Sequence, residues 1–232
     1  MQIKQFRYGA DNLGYLVYGE KSAAAIDGGA AQAILSFLAA HNLKLAHVTN
    51  THSHMDHLVG NQALLNQTDA RYLDFDALMA NPEIEIDGQF LRLMHTPGHT
   101  RDSVCFYFEG VLISGDTLFN GKVGRCFTGD VEGFFQSIQK ILAFPEDTRV
   151  YAGHDYVEEY MGFARALEPD NPHIDRYLAE YDPAHVCATL GEEKQVDPFL
   201  RFNDEKMIHI LKQKGLAAGT ELDRWRSLIS LM

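Results

Sequence analysis

Short apolar runs at residues 3–8, 14–18 and 23–26, with Gly, Asp and Asn between them, predict three strands in quick succession. Asp27-Gly28-Gly29 closes the third run, after which Ile34, Leu35 and Leu38 fall on one helical face and predict a helix over 30–41. An apolar run at 45–49 predicts a buried strand that leads straight into Thr51-His52-Ser53-His54-Met55-Asp56-His57. Strands resume over 83–94, where Ile84 and Ile86 alternate with acidic residues, and again at 104–108 and 111–114. Phe134, Phe135, Ile138, Ile141 and Leu142 have helical spacing, and 150–151 makes a short strand. Beyond residue 156 the strand signal fades. Segments 156–167, 171–180, 204–214 and 220–231 show helical spacing, separated by Pro169, Pro172, Pro183 and Pro198. The pattern predicts an α+β fold, with a β-rich domain over residues 1–166 and a helical C-terminal domain over 167–232.

Composition narrows the class. With 46% apolar and 22% charged residues in 232, the chain can bury a sizeable core, which excludes disorder, collagen and coiled coil as the main state. Twenty basic against 32 acidic residues leave a net charge of −12, which repels phosphate backbones and argues against a nucleic-acid partner. Cys105, Cys126 and Cys187 are odd in number and widely spaced, so they form no disulfide framework and suit a reducing cytoplasm. The most apolar stretch, 31–40, is broken by Gln32 and Ser36, short of the roughly 18 apolar residues of a membrane span. The N-terminal residues show no secretory h-region, so a soluble, cytoplasmic protein is expected.

Eleven histidines change the picture, because several crowd together. His52 and His54 stand two apart just past a buried strand. In extended backbone they point the same way and can reach one ion. Asp56 continues that spacing and His57 follows, so a second ion can sit beside the first. Three further candidates each follow a strand or turn with small residues: His99 in Thr96-Pro97-Gly98-His99-Thr100, Asp116 in Ser114-Gly115-Asp116-Thr117, and His154 in Ala152-Gly153-His154-Asp155. Imidazole and carboxylate donors suit Zn²⁺, Fe²⁺ or Mn²⁺. His95 lies near these residues but outside the Thr-Pro-Gly-His pattern, while His41, His47, His173, His185 and His209 fit no pattern and are expected at surface or satisfied core positions; Cys105, in an apolar strand, is expected to be buried.

The ordered set THSHMDH, TPGHT, SGDT and AGHD resembles the metallo-β-lactamase superfamily. The resemblance implies a four-layer αββα sandwich with two metals at one edge. By position it implies His52, His54 and His99 on the first metal, Asp56, His57 and His154 on the second, and Asp116 as the bridge. It gives Asp27 a supporting role behind the first ligand loop. The implied chemistry is hydrolysis by a hydroxide held between two divalent ions, with Asp116, Asp56 and His57 as the catalytic carboxylates and imidazole. Zn is the first expectation for the metal, with Fe or Mn as alternatives.

The flanks narrow the resemblance. Gly124-Arg125-Cys126-Phe127-Thr128-Gly129, Gly153-His154-Asp155-Tyr156, Ala188-Thr189-Leu190-Gly191-Glu192-Glu193-Lys194 and Asp197-Pro198-Phe199-Leu200-Arg201 are similar to the glyoxalase II (hydroxyacylglutathione hydrolase) family. That implies a thioesterase acting on a glutathione conjugate, S-D-lactoylglutathione, with Arg125, Phe127 and Tyr156 at the substrate. Two departures stand out: Phe127 occupies a position where the family often carries an aromatic hydroxyl, and the tail ends Leu222-Asp223-Arg224-Trp225-Arg226-Ser227 without the family's basic cluster. Alternatives on the same fold are a mononuclear-iron persulfide dioxygenase and a metal-dependent lactonase or esterase. The expected state is a monomer or small homo-oligomer with a small-molecule substrate, no nucleic acid and no membrane.

Overall fold

The computed structural model describes residues 1–232. The first half runs β1 (Gln2–Tyr8), β2 (Asn12–Tyr18), β3 (Ser22–Ile26), α1 (Ala31–His41), β4 (Lys44–Thr49), α2 (Met55–Leu58), α3 (Asn61–Gln67), β5 (Arg71–Leu73) and α4 (Phe75–Ala80). Next come β6 (Glu83–Ile86), β7 (Gln89–His95), β8 (Val104–Phe108), β9 (Val111–Gly115), β10 (Leu118–Phe119), β11 (Lys122–Val123), α5 (Val131–Leu142) and β12 (Arg149–Ala152). The last part holds α6 (Val157–Leu167), α7 (His173–Glu180), β13 (Ala188–Thr189), α8 (Leu190–Val196), α9 (Glu205–Gln213) and α10 (Glu221–Ile229).

Two mixed sheets result, one ordered β1-β2-β3-β4-β5 and the other β13-β12-β9-β8-β7-β6. Antiparallel neighbours follow from tight turns, such as Asp87-Gly88 between β6 and β7, where φ is +51° and +81°. The parallel pairs, β3 with β4, β4 with β5 and β9 with β12, need crossovers, which α1, the α2–α3 segment and α5 supply.

Side-chain alternation explains the layering. Leu13, Tyr15, Val17, Ala24 and Ile26 of the first sheet meet Phe106, Phe108, Val111, Ile113 and Tyr151 of the second in one buried cluster. The intervening Leu16, Ala23 and Ala25 face outward against Ile34, Leu38 and Leu64 on α1 and α3. Cys105, Leu112 and Val150 face outward from the second sheet against α5 and the C-terminal helices, where Trp225 is fully buried and donates Nε1–H to the Val131 carbonyl at 3.1 Å. Each fully buried side chain of this size contributes about 1.5–3 kcal/mol. The result is an αββα sandwich. The C-terminal segment is continuous with it, since β13 extends the second sheet and Ile174, Tyr177 and Val196 join the inner cluster.

The long elements stand where the periodicity puts them, and Cys105 is fully buried. Asp56 differs from its extended reading. The chain leaves β conformation after His54, and Asp56 and His57 lie in the single turn of α2.

Candidate metal centre

Parallel strands place their C-terminal ends on one edge, and the ligand-type residues sit there. His52 and His54 follow β4, Asp116 follows β9, His154 follows β12, and His99 lies in the turn between β7 and β8. Backbone bonds tie the two sheets together at this edge: Leu13 N–H to the Gly153 carbonyl at 2.8 Å and Val104 N–H to the Thr51 carbonyl at 2.8 Å. Two glycines are required. Gly115 adopts φ +51° against the Thr51 side chain, and a Cβ on Gly153 would lie 2.1 Å from Asp116 Oδ1.

All seven residues converge, in two adjoining groups. His52 Nε2 stands 2.9 Å from His54 Nδ1, which is 3.0 Å from His99 Nε2. Asp116 Oδ2 lies 3.4 Å from His99 Nε2 and 3.8 Å from His52 Nε2. On the other side, Asp56 Oδ2 is 3.2 Å from His154 Nε2 and 3.7 Å from His57 Nε2. Asp116 joins the groups, with Oδ1 at 3.4 Å from His57 Nε2 and Oδ2 at 3.5 Å from His154 Nε2.

This donor set fits metal ions. A tetrahedral ion with ~2.0–2.1 Å bonds places its ligand atoms about 3.3 Å apart, close to the separations found. His57 Nε2 and Asp116 Oδ1 are buried with no hydrogen-bond partner, a cost that an ion between them removes. The electrostatics point the same way. Burial disfavours a charged His57, but the Asp27 carboxylate, its hydrogen bond to His57 and the nearby Asp116 carboxylate outweigh it, and its pKa is pushed up to about 11. Burial also penalises the Asp116 carboxylate, yet His57, His52 and His154 hold its pKa well below the usual range. Burial and neighbouring His57 push His52 down to about 4, so His52 keeps a free lone pair. The centre demands positive charge, while burial keeps His52 and His99 in the neutral form that a metal ion needs.

The second nitrogen of four imidazoles is already engaged. His57 Nδ1 meets Asp27 Oδ2 at 3.0 Å, His154 Nδ1 meets Asp11 Oδ1 at 2.9 Å, His99 Nδ1 meets the Arg125 carbonyl at 3.0 Å, and His52 Nδ1 meets Thr51 Oγ1 at 3.1 Å. Acceptors at the first three fix the tautomer that leaves Nε2 aimed inward. Asp27 is fully buried and also accepts from the Thr51 backbone N–H at 2.8 Å and the Thr51 hydroxyl at 2.7 Å, so it braces the ligand loop. Asn12 donates from Nδ2 to Asp56 Oδ2 at 2.8 Å. The sequence reading missed Asp11 and Asn12, whose Asp-Asn pair looks like turn punctuation before β2.

The candidate substrate residues line the mouth. Phe127 is 59% exposed and sets its ring edge-on to His54 and His99 at 5.7 and 5.2 Å. The exposed Arg125 guanidinium lies 5.4 Å from the Phe127 ring and has no acidic partner. Tyr156 stacks on His154 at 5.0 Å with its hydroxyl 3.2 Å from His154 Nδ1. The tail arginines point elsewhere: Arg224 bonds Asn203 Oδ1 and the Ala218 and Gly219 carbonyls, and Arg226 pairs with Glu132.

Residues 11–73 and 81–154 match the metallo-beta-lactamase superfamily, and residues 155–228 match the hydroxyacylglutathione hydrolase C-terminus. The chain belongs to the metallo-beta-lactamase superfamily, in its hydroxyacylglutathione hydrolase branch. It is 36% identical to the hydroxyacylglutathione hydrolase of Chromohalobacter salexigens, covering 82% of each chain. It is 31% identical to that of Vibrio cholerae, covering 98% of this chain and 99% of the other. Among solved structures, ETHE1 from Myxococcus xanthus superposes with a TM-score of 0.68 at 23% identity, covering 98% of this chain and 100% of that one, a likeness of fold. No helix is long and apolar enough to cross a membrane.

Proposed function

We propose that this chain is a dinuclear metal-dependent thioesterase that hydrolyses S-2-hydroxyacylglutathione, S-D-lactoylglutathione among its substrates, to a 2-hydroxy acid and glutathione in the cytoplasm. The observation that carries this reading is the likeness along nearly the whole chain to proteins named hydroxyacylglutathione hydrolase, including the C-terminal segment. In this reading residues 1–166 hold the metals and residues 167–232 cover the thiol half of the substrate. Zinc is the first candidate, with iron or manganese as alternatives.

His52, His54 and His99 would hold one ion, Asp56, His57 and His154 the other, with Asp116 shared. Two divalent ions bound there would supply a nucleophile at neutral pH, by lowering the pKa of water to ~7, and would polarise the thioester carbonyl. The chain's own groups do the rest. Asp116 fixes the spacing of the two groups, Asn12 orients the exposed Asp56, and Asp27 orients His57. Phe127 packs beside His99 of one ligand group and Tyr156 beside His154 of the other, so each can contact a substrate seated there. Arg125 offers an unpaired cation to the anionic peptide.

Gently purified protein should hydrolyse S-D-lactoylglutathione and approach two metal equivalents per chain by elemental analysis. One equivalent of iron, with oxygen uptake on glutathione persulfide, would overturn the proposal in favour of the dioxygenase. Arg125→Ala should raise KM for S-D-lactoylglutathione about tenfold with kcat nearly intact, because a charge-assisted contact made equally to substrate and transition state is lost. An unaltered ratio of kcat/KM between that substrate and a short thioester lacking glutathione would remove Arg125 from peptide recognition.

A further inference from the structure

The thiol half of such a substrate is a tripeptide with two carboxylates, and a chain of net charge −12 must find cations for it. Arg125 is one. Arg224 and Arg226 are committed to Asn203, to loop carbonyls and to Glu132. A second cation stands beyond the His154 group, past Tyr156. Tyr156, Tyr160 and Phe163 occupy one face of the first two turns of α6 and its cap, a stripe that begins at the His154 ring. Lys122 lies over that stripe, with Nζ 4.9 Å from the Tyr160 ring centre and 4.7 Å from that of Phe163. It makes no hydrogen bond or ion pair, and burial pulls its pKa below the usual lysine range, so it gains from an anion. Seven residues of helix span roughly 10 Å, and the thioester sulfur sits on the central cysteine of the tripeptide, from which the longer, γ-glutamyl arm reaches its carboxylate across eight bonds, also about 10 Å when extended. A thioester seated at the metal groups therefore brings its far carboxylate to Lys122.

The position is built. Lys122 sits on the β10–β11 hairpin, which Glu193 pins from behind by accepting from Gly121 N–H at 2.7 Å and Asn120 Nδ2 at 2.9 Å. Glu193 also accepts from the Tyr177 hydroxyl at 2.6 Å and is fully buried.

We propose that the Lys122 ammonium, above the Tyr160 and Phe163 rings, is a subsite for one of the two carboxylates of the glutathione half. The inference rests on the thioesterase reading and adds a residue that reads the thiol. Cation–π contact holds the ammonium in place without neutralising it, leaving its donors free for a carboxylate.

The test uses metal-loaded full-length enzyme and the inert thioether S-methylglutathione, beside its glycine ethyl ester and its γ-glutamyl α-amide, each as an inhibitor of S-D-lactoylglutathione hydrolysis. Lys122→Met should weaken S-methylglutathione about tenfold, and Lys122→Arg should restore most of that. Blocking one carboxylate should weaken binding to the wild type by a similar factor and leave binding to Lys122→Met without a further loss. The blocked compound that shows this coupling identifies the carboxylate. Equal inhibition of wild type and Lys122→Met, or no coupling to either block, overturns the proposal. A fall in thermal midpoint with unchanged inhibition also overturns it and makes Lys122 a counter-charge to Asp197, whose buried Oδ2 has no hydrogen-bond partner. Should Lys122→Met fail to fold, the double variant with Asp197→Asn removes that buried charge and carries the same measurement. A wild type that neither hydrolyses the thioester nor binds S-methylglutathione sinks the thioesterase reading and this one with it. A wild type that does both, beside an indifferent Lys122→Met, sinks this one alone.

Discussion

Asp116→Ala should cost about 10³-fold or more in kcat/KM and lower the metal content of the purified protein. The side chain is almost fully buried, and its two oxygens face four imidazoles, with Oδ1 3.4 Å from His57 Nε2 and Oδ2 3.4, 3.5 and 3.8 Å from those of His99, His154 and His52. No other carboxylate of the centre contacts imidazoles of both groups. Removing it takes a negative charge from a cluster of imidazoles and leaves the two groups without a common member. Tyr156→Phe is the natural comparison. It deletes one hydroxyl 3.2 Å from His154 Nδ1, a nitrogen already held by Asp11, and should stay within about tenfold. Elemental analysis and steady-state kinetics of the two variants, with circular dichroism to check the fold, decide the matter. An Asp116→Ala protein that keeps two ions, or losses of similar size in both variants, would remove Asp116 from the role of bridge.

The contrast between those two residues reflects what a sequence can carry. Ligand-type side chains after strands, at His52, His99, Asp116 and His154, are legible because metal chemistry restricts residue type and because the strands before them have strong patterns. The bracing contacts are less legible. Asp11 and Asn12 come from a turn more than a hundred residues away from His154, and only the pairing of the two sheet edges brings them there. The short elements α2, α3 and α4 have too few residues for a helical period to show. For α8 a signal existed: Thr189 and Glu192 form a capping box, the Thr-x-x-Glu pattern that marks a helix start. Asp56 illustrates the limit of local periodicity. Two-residue spacing predicts a continued strand from His52, but His54 caps a helical turn, and the turn instead swings Asp56 and His57 toward His154. Lys122 gave no sequence signal, since its meaning depends on an aromatic face 38 to 41 residues further on.

Asp27→Asn should lower activity and affinity for the ion at the His57 group by about 10–100-fold, the usual effect of disturbing a group that orients a metal ligand. The substitution is suited to the question because the backbone at Asp27 has φ +51°, a left-handed conformation that Asn adopts readily and Ala does not. Side-chain volume is also kept, so the change is confined to hydrogen bonding. Asp27 accepts four donors: Oδ1 takes the Thr51 N–H at 2.8 Å and Asn50 Nδ2 at 3.3 Å, and Oδ2 takes the Thr51 hydroxyl at 2.7 Å and His57 Nδ1 at 3.0 Å. An amide has one acceptor oxygen. If that oxygen stays with the Thr51 backbone, the NH₂ group faces His57 Nδ1–H, two donors together in a fully buried place. His57 then relieves the clash by moving its proton to Nε2, the atom aimed at Asp116, and loses the lone pair that an ion needs. If the amide turns the other way, His57 keeps its tautomer and the Thr51 N–H loses its acceptor, an unsatisfied buried donor that costs about 1–3 kcal/mol. The first outcome shows in metal affinity and in the ¹⁵N spectrum of His57, the second in the thermal midpoint. Full activity together with an unshifted midpoint would mean that Asp27 is a turn residue and does not brace the ligand loop.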